Sequence, residues 1–159
     1  MPVIELKTTI HAPIKRCFDL SRSIDLHADS MSHTHEKPIA GRTSGLIELN
    51  ETVTWSARHF GITQQLTSLI TDVESPSFFA DEMVKGAFKR FRHEHHFSEK
   101  DDTTTLIDIF EYTSPLGLVG RLFDALILKN YMRDLLIRRN EVLKEYAESD
   151  QWKKLLPQE

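Results

Sequence analysis

The chain has 159 residues, of which 40% are hydrophobic and 28% are charged, proportions of a folded domain rather than of a disordered, collagen-like or rod-like protein. Its 20 Lys and Arg against 24 Asp and Glu leave a net charge of −4, which argues against nucleic-acid binding through bulk charge. One Cys excludes an internal disulfide, and no stretch reaches the roughly 20 apolar residues of a membrane span. With no signal-peptide pattern at the N-terminus, we expect a cytoplasmic protein.

The first 45 residues predict one strand and two short helices. Residues 4–10 alternate between apolar and polar side chains, which is the period of a strand with one buried face. Pro13 suits the first position of a helix, and Ser23 can cap a second one. Proline and glycine residues at 38–45 then indicate an irregular segment.

Residues 46–112 are predicted to form six consecutive antiparallel strands. Short turn sequences separate runs that are rich in Val, Ile, Thr, Phe and Trp, and such short connections favour sequential hairpins. The predicted strands are 46–49, 52–60, 63–73, 78–84, 88–99 and 103–112.

One long helix is predicted from about residue 117 to residue 147, because the hydrophobic period changes there from two to about 3.6. Its first part, 118–128, is apolar on nearly all sides, so we expect more than one of its faces to be covered. One cover is a cavity, and the other is the sheet rim, a partner subunit or a membrane surface contacted transiently. We predict a single domain over 1–148, followed by a polar C-terminal tail over 149–159.

In addition to this order of elements, several short sequence motifs resemble those of a known group of proteins. They are Val53-Thr54-Trp55, Arg58-His59-Phe60-Gly61, Phe79-Ala80-Asp81-Glu82-Met83, Gly86-Ala87-Phe88-Lys89-Arg90-Phe91, His93-Glu94-His95, Asp108 with Tyr112, and Ser114-Pro115-Leu116-Gly117. Together they resemble the START and pollen-allergen-like helix-grip superfamily (SRPBCC), and within it the polyketide cyclase/dehydrase and lipid-transport group. The resemblance implies an α+β helix-grip fold. In that fold a seven-stranded curved antiparallel sheet, two short helices and a long C-terminal helix enclose a cavity.

Strand alternation predicts which side chains face this cavity. On the strand at 88–99, the face that carries His93 and His95 is more apolar than the opposite one, so it should point inward. The same test on the other strands, together with the apolar start of the helix, gives the predicted ligand contacts. They are Trp55, His59, Leu66, Phe79, Asp81, Met83, Phe91, His93, His95, Asp108, Phe110, Tyr112, Phe123 and Leu126.

Buried carboxylates and imidazoles need partners, because an unpaired one costs several kcal/mol. Three explanations stay open: an internal hydrogen-bond network, anchors for the polar end of an apolar ligand, or an acid–base pair drawn from His93, His95 and Asp108. His93 and His95 with Asp108 or Asp81 would also make a His₂-carboxylate metal set, but we predict no metal and no cofactor. The basic strip around Lys89 and Arg90 is interpreted as a solvated outer face, so no nucleic-acid partner is expected.

The leading hypothesis is a non-enzymatic carrier or sensor of a small hydrophobic molecule, such as a lipid, a quinone or a polyketide-like compound. A cavity that is apolar apart from a few polar groups is typical of such sites. The entrance is predicted beside 38–45 and 115–120. The alternative is an enzyme of the cyclase or dehydratase type that uses an Asp/His pair in the same cavity, and a third is an interaction module whose cavity is filled by its own side chains.

Overall fold

The computed structural model describes residues 1–157; Gln158 and Glu159, the end of the predicted tail, lie outside the described residues. The strands are β1 (Val3–Ile10), β2 (Lys37–Gly41), β3 (Thr52–His59), β4 (Ile62–Glu74), β5 (Phe78–Lys85), β6 (Arg90–Lys100) and β7 (Thr103–Thr113). The helices are α1 (Ile14–Ser21), α2 (Ile24–Ser30), α3 (Gly117–Phe123) and α4 (Lys129–Glu148). Short 3₁₀ turns cover Ser32–Thr34 and Asp150–Lys154, and a π-helical turn, Asp124–Leu128, joins α3 to α4.

The seven strands form one antiparallel sheet in the order β1-β7-β6-β5-β4-β3-β2. Breaks in register occur between Ile70 and Asp72 on β4 and between Pro38 and Ala40 on β2, and such bulges bend a strand and increase its twist. The sheet curves around the C-terminal helix. The predicted α+β helix-grip fold is therefore confirmed.

The second strand differs from the prediction. It is formed by Lys37–Gly41, whereas Leu46 makes only an isolated bridge to Ser23. Ile47 is buried in the core, so the apolar pattern at 46–49 reflects packing rather than a strand. Pro38 is acceptable in β2 because this strand lies at the sheet edge, where a missing N–H breaks no ladder.

One end of the domain is filled by a large hydrophobic core. Phe18 of α1 packs edge-on against Phe79 and Phe97, with ring centroids 5.7 and 5.6 Å away. The buried Leu143 and Ala147 of α4 join this core. Leu156 also belongs to it, so the chain beyond α4 folds back onto the domain.

The start of the C-terminal helix is more exposed than predicted. Only Gly120, Asp124 and Leu128, which are four residues apart, are buried between 117 and 128. Leu118 is 80% exposed and Leu126 is 66% exposed. Within the described chain this segment buries one stripe that is one residue wide, so the sheet rim does not cover a second face. Cover by a partner subunit or a membrane surface stays a prediction.

Gly120 lets this segment approach the preceding loop. A Cβ on Gly120 would collide with the carbonyl oxygen of Pro115. The backbone N–H of Gly120 donates to the carbonyl oxygen of Leu116. Only glycine therefore allows α3 to pack so closely against the backbone of the preceding loop. Among the described residues, no helix is long and apolar enough to cross a bilayer.

Candidate ligand-binding cavity

A cavity of about 580 Å³ lies between the sheet and the C-terminal helix, a size in the range of small-molecule sites. Strands β3 to β7 supply one wall, and α3 and the first half of α4 supply the other. Eight of the predicted contacts line it: Trp55, His59, Leu66, Asp81, Phe91, His93, Phe110 and Phe123.

The other six predicted contacts lie elsewhere. His95 and Asp108 are buried behind the wall, and Phe79 belongs to the large core at the filled end. Tyr112 is buried in the smaller core, and Met83 packs partly against that core. Leu126 is largely exposed. Alternation assigns these residues to a face, but the inner face of a curved sheet meets a helix, a core or a cavity at different points along its length.

Asp108 is the centre of a buried polar network at the inner end of the cavity. Nε2 of His93 lies 3.0 Å from its Oδ1, and Nδ2 of Asn140 donates to its Oδ2 at 2.6 Å. A guanidinium N–H of Arg139 donates to Oδ1 at 3.3 Å. Burial alone would raise the pKa of Asp108, but the hydrogen bond from His93, the close imidazole of His95 and the charge of Arg139 hold that pKa well below its ordinary value.

His95 links this carboxylate to a second one. Its Nε2 lies 3.2 Å from Oδ1 of Asp81, and its Nδ1 lies 2.9 Å from Oδ1 of Asp108 at an angle that makes no hydrogen bond. The His95 ring stacks on Phe79 with centroids 4.1 Å apart. Although burial raises the pKa of Asp81, the bond from His95 and the nearby charges keep it below its ordinary value, so this wall carboxylate is ionised.

His93 is the imidazole of the network that reaches the cavity. Burial and the neighbouring His95 lower the pKa of His93 to about 4, against the opposing effect of Asp108. The ring is therefore neutral at pH 7. It sits 5.3 Å from the ring of Phe110 and 3.9 Å from that of His95, measured between centroids.

Arg139 and Asn140 are the network members that the sequence prediction missed. Both are buried on α4. Leu135, Arg139 and Leu143 follow at intervals of four residues, so Arg139 occupies the buried stripe of the helix. A charged residue within an apolar helix stripe was the signal that could have revealed Arg139. Such a residue is expected to pair with a buried carboxylate on the element that the helix packs against.

A second polar group lies nearer the entrance. Nδ1 of His59 lies 2.7 Å from the hydroxyl of Tyr131, and burial lowers the pKa of His59 below its ordinary value. Beside them, Nε2 of His27 lies 3.0 Å from Oε1 of Glu36, and the His27 ring lies 4.4 Å from that of Trp55. These partners come from α2, the following loop and α4, which strand alternation alone does not address.

The entrance is surrounded by apolar side chains. Phe60 contacts Phe123 and Tyr131, with ring centroids 5.6 and 4.5 Å away. Leu116 and Val119 also line the cavity while remaining largely exposed. The segment 115–120 therefore lines an exposed part of the cavity, where its prediction as part of the entrance stands as a prediction, whereas 38–45 contributes no residue to the described cavity wall.

Asp81, His93 and His95 are the described residues that could hold a metal ion, because they offer one ligand atom each and these atoms lie within 4.8 Å of one another. Asp108 would orient the imidazoles from behind, as carboxylates do in many metal sites. Without a metal, Nε2 of His93 pairs with Asp108 and Nε2 of His95 pairs with Asp81, while the buried Nδ1 of His95 has no hydrogen-bond partner among the described residues.

Comparison with protein-family models and with curated protein sequences gave no match. Comparison with solved structures gave clear similarities of fold. The chain is similar to TTHA0849 from Thermus thermophilus, with a TM-score of 0.74, 14% identity and coverage of 92% of this chain and 97% of that one. It is also similar to ginseng major latex-like protein 151 from Panax ginseng, with a TM-score of 0.68, 12% identity and coverage of 93% and 98%.

A third similar structure is norcoclaurine synthase from Thalictrum flavum, with a TM-score of 0.65, 12% identity and coverage of 91% of this chain and 84% of that one. At such identities the likeness concerns the fold, since one fold supports many activities. These similarities span nearly the whole of both chains. The chain has the helix-grip fold, as the resemblance in its sequence implied.

Proposed function

We propose that this protein binds a small hydrophobic molecule between its sheet and its C-terminal helix, as a carrier or sensor. The observation that carries the proposal is the cavity itself, which is lined mostly by apolar and aromatic side chains. It has one set of polar groups at its inner end and a second set nearer the entrance. Such a wall favours an apolar body, while the few polar groups fix its orientation. The exposed apolar entrance lets such a molecule enter without crossing a polar barrier. A lipid, a quinone or a polyketide-like compound has the apolar body that this cavity would bind.

The polar network supports binding better than catalysis. Asp108 lies behind the wall and is already engaged by His93, Arg139 and Asn140. A general base works best when its pKa lies near the working pH, whereas the pKa of His93 is lowered to about 4. The cyclase or dehydratase alternative would have to use a base that binds a proton weakly at neutral pH.

Ala57 offers a direct test, because it lies on the cavity wall between Trp55 and His59 on β3. Ala57→Trp would place an indole in the cavity and is expected to weaken binding of an apolar fluorescent probe, 1-N-phenylnaphthylamine, by at least about tenfold. Fluorescence titration of the purified protein measures the effect. Filling the cavity removes the volume that the probe occupies, so the loss should appear as reduced affinity without unfolding.

Ser56→Trp is the matched control, since Ser56 is the neighbouring residue and its side chain points to the opposite face of the same strand. It should leave the probe affinity within about twofold of the parent. Equal affinity in a folded Ala57→Trp variant and in the parent would contradict binding in this cavity. Thermal unfolding of both variants establishes that each is folded.

A further inference from the structure

The cavity wall carries negatively charged side chains without permanently positive ones. Among the described residues, the wall carries two carboxylates, Glu36 and Asp81, but no lysine and no arginine. Sites that hold carboxylates or phosphates normally present such cations. The charge of the wall is therefore opposite in sign to that expected of a fatty-acid or phospholipid site.

Asp81 is the carboxylate at the inner end, where the polar end of an apolar molecule would arrive. Its side chain is 18% exposed, and Oδ1 accepts a hydrogen bond from His95. An ionised carboxylate has about four acceptor positions, so Asp81 keeps acceptor capacity toward the cavity. Because an anion can only accept hydrogen bonds, the group that satisfies Asp81 must be a donor.

The nearest buried cation does not offset this charge for a ligand. Arg139 donates to Asp108, to the side-chain oxygen of Asn140 and to the carbonyl oxygen of Ser21, and it is 5% exposed. Asp108 therefore separates its guanidinium from the cavity. Three imidazoles also line the cavity, and each already has a partner: His27 pairs with Glu36, His59 with Tyr131 and His93 with Asp108. None of them is a permanent cation of the kind that a lysine or an arginine would supply.

From this distribution we infer that the cavity selects an apolar molecule whose polar end is a hydrogen-bond donor, with a protonated amine preferred to a hydroxyl and a carboxylate excluded. The inference rests on the proposed function and names its ligand class. A carboxylate brought beside Asp81 would face a like charge at low dielectric, whereas an ammonium would form a charge-assisted hydrogen bond.

A matched series tests the selectivity on the full chain. Decylamine, 1-decanol and decanoic acid share one alkyl chain, and each is titrated at pH 7.5, below its aggregation concentration, against the bound 1-N-phenylnaphthylamine probe. We expect decylamine to displace the probe at a concentration at least about tenfold lower than 1-decanol, and decanoic acid to be the weakest of the three. This series decides the inference without any variant.

The two possible failures are distinguishable. If the protein does not bind the apolar probe or any of the three compounds, the proposed function fails and the selectivity fails with it. If all three displace the probe equally, or if decanoic acid is the strongest, the cavity binds apolar molecules and the inference about charge is overturned.

Asp81→Asn then locates the charge preference. This substitution keeps the shape of the side chain and removes its charge, so it should lower the affinity for decylamine about tenfold and leave that for 1-decanol within about twofold. Glu111→Gln removes one negative charge from the alternate face of β7 and should change neither affinity. A loss for Glu111→Gln equal to that for Asp81→Asn would show that net charge, not Asp81, attracts the amine and would overturn the assignment.

Discussion

Replacing Asp108 by alanine is expected to lower the free energy of unfolding by about 3–5 kcal/mol, the usual cost of removing one partner from a buried ion pair. The variant leaves the Arg139 guanidinium buried without a carboxylate, and it also removes an acceptor from His93 and from Asn140. Urea denaturation at pH 7.5, followed by circular dichroism, measures the change.

Asp108→Asn tests the same contact more gently, because it keeps the shape of the side chain and one acceptor oxygen. We expect a loss between that of Asp108→Ala and zero. Glu111→Ala, on the alternate face of the same strand, should change the stability by no more than about 0.5 kcal/mol. A loss below about 1 kcal/mol for Asp108→Ala would mean that the network contributes little to the stability of the fold.

The stability of the protein is expected to fall as the pH is lowered from about 6.5 to about 4.5. The pKa of His93 is lowered from 6.5 to about 4 in the folded protein, and that of His59 is lowered as well. Between these values the unfolded chain binds more protons than the folded one, so the free energy of unfolding increases with pH. One such group contributes up to about 1.4 kcal/mol per pH unit.

Urea denaturation at pH 7.5, 6.0 and 5.0 checks this expectation, and His93→Gln shows which group is responsible. Glutamine does not titrate, so the variant should lose much of the pH dependence even if it is less stable at every pH. Asp81 and Asp108, whose folded pKa values are lowered, lose their contribution only at more acidic pH. A flat profile between pH 7.5 and 5.0 in the parent would contradict the neutral, buried state of His93.

The order of elements was predictable because hydrophobic period and turn residues are local properties of the chain. β2 was the exception, since Pro38 and Gly41 indicate a loop unless the segment is known to lie at a sheet edge. A period of two predicts the face of a side chain but not what lies opposite. Strand alternation therefore could not separate His93, which reaches the cavity, from His95, which lies behind it.

The partners of the site were harder to predict than its strands. The Tyr131 hydroxyl meets His59 across 72 positions in sequence, and the Asn140 amide meets Asp108 across 32. Such pairs depend on how the C-terminal helix is rotated against the sheet. A single sequence gives the apolar stripe of a helix, but the crossing angle and rotation follow from packing in three dimensions.

The narrow buried stripe of residues 117–128 also bears on how a ligand gains access. Local opening costs least where few apolar contacts are broken, and this segment contributes only Gly120, Asp124 and Leu128 to the buried interior. Its leucines other than Leu128 are exposed before any movement, so the apolar surface that lifting it would expose is mainly the part of the cavity wall that Val119 and Phe123 line. We therefore expect this segment to open more readily than α4, whose Arg139 and Asn140 hold the Asp108 network, and amide hydrogen exchange should be faster here than in α4.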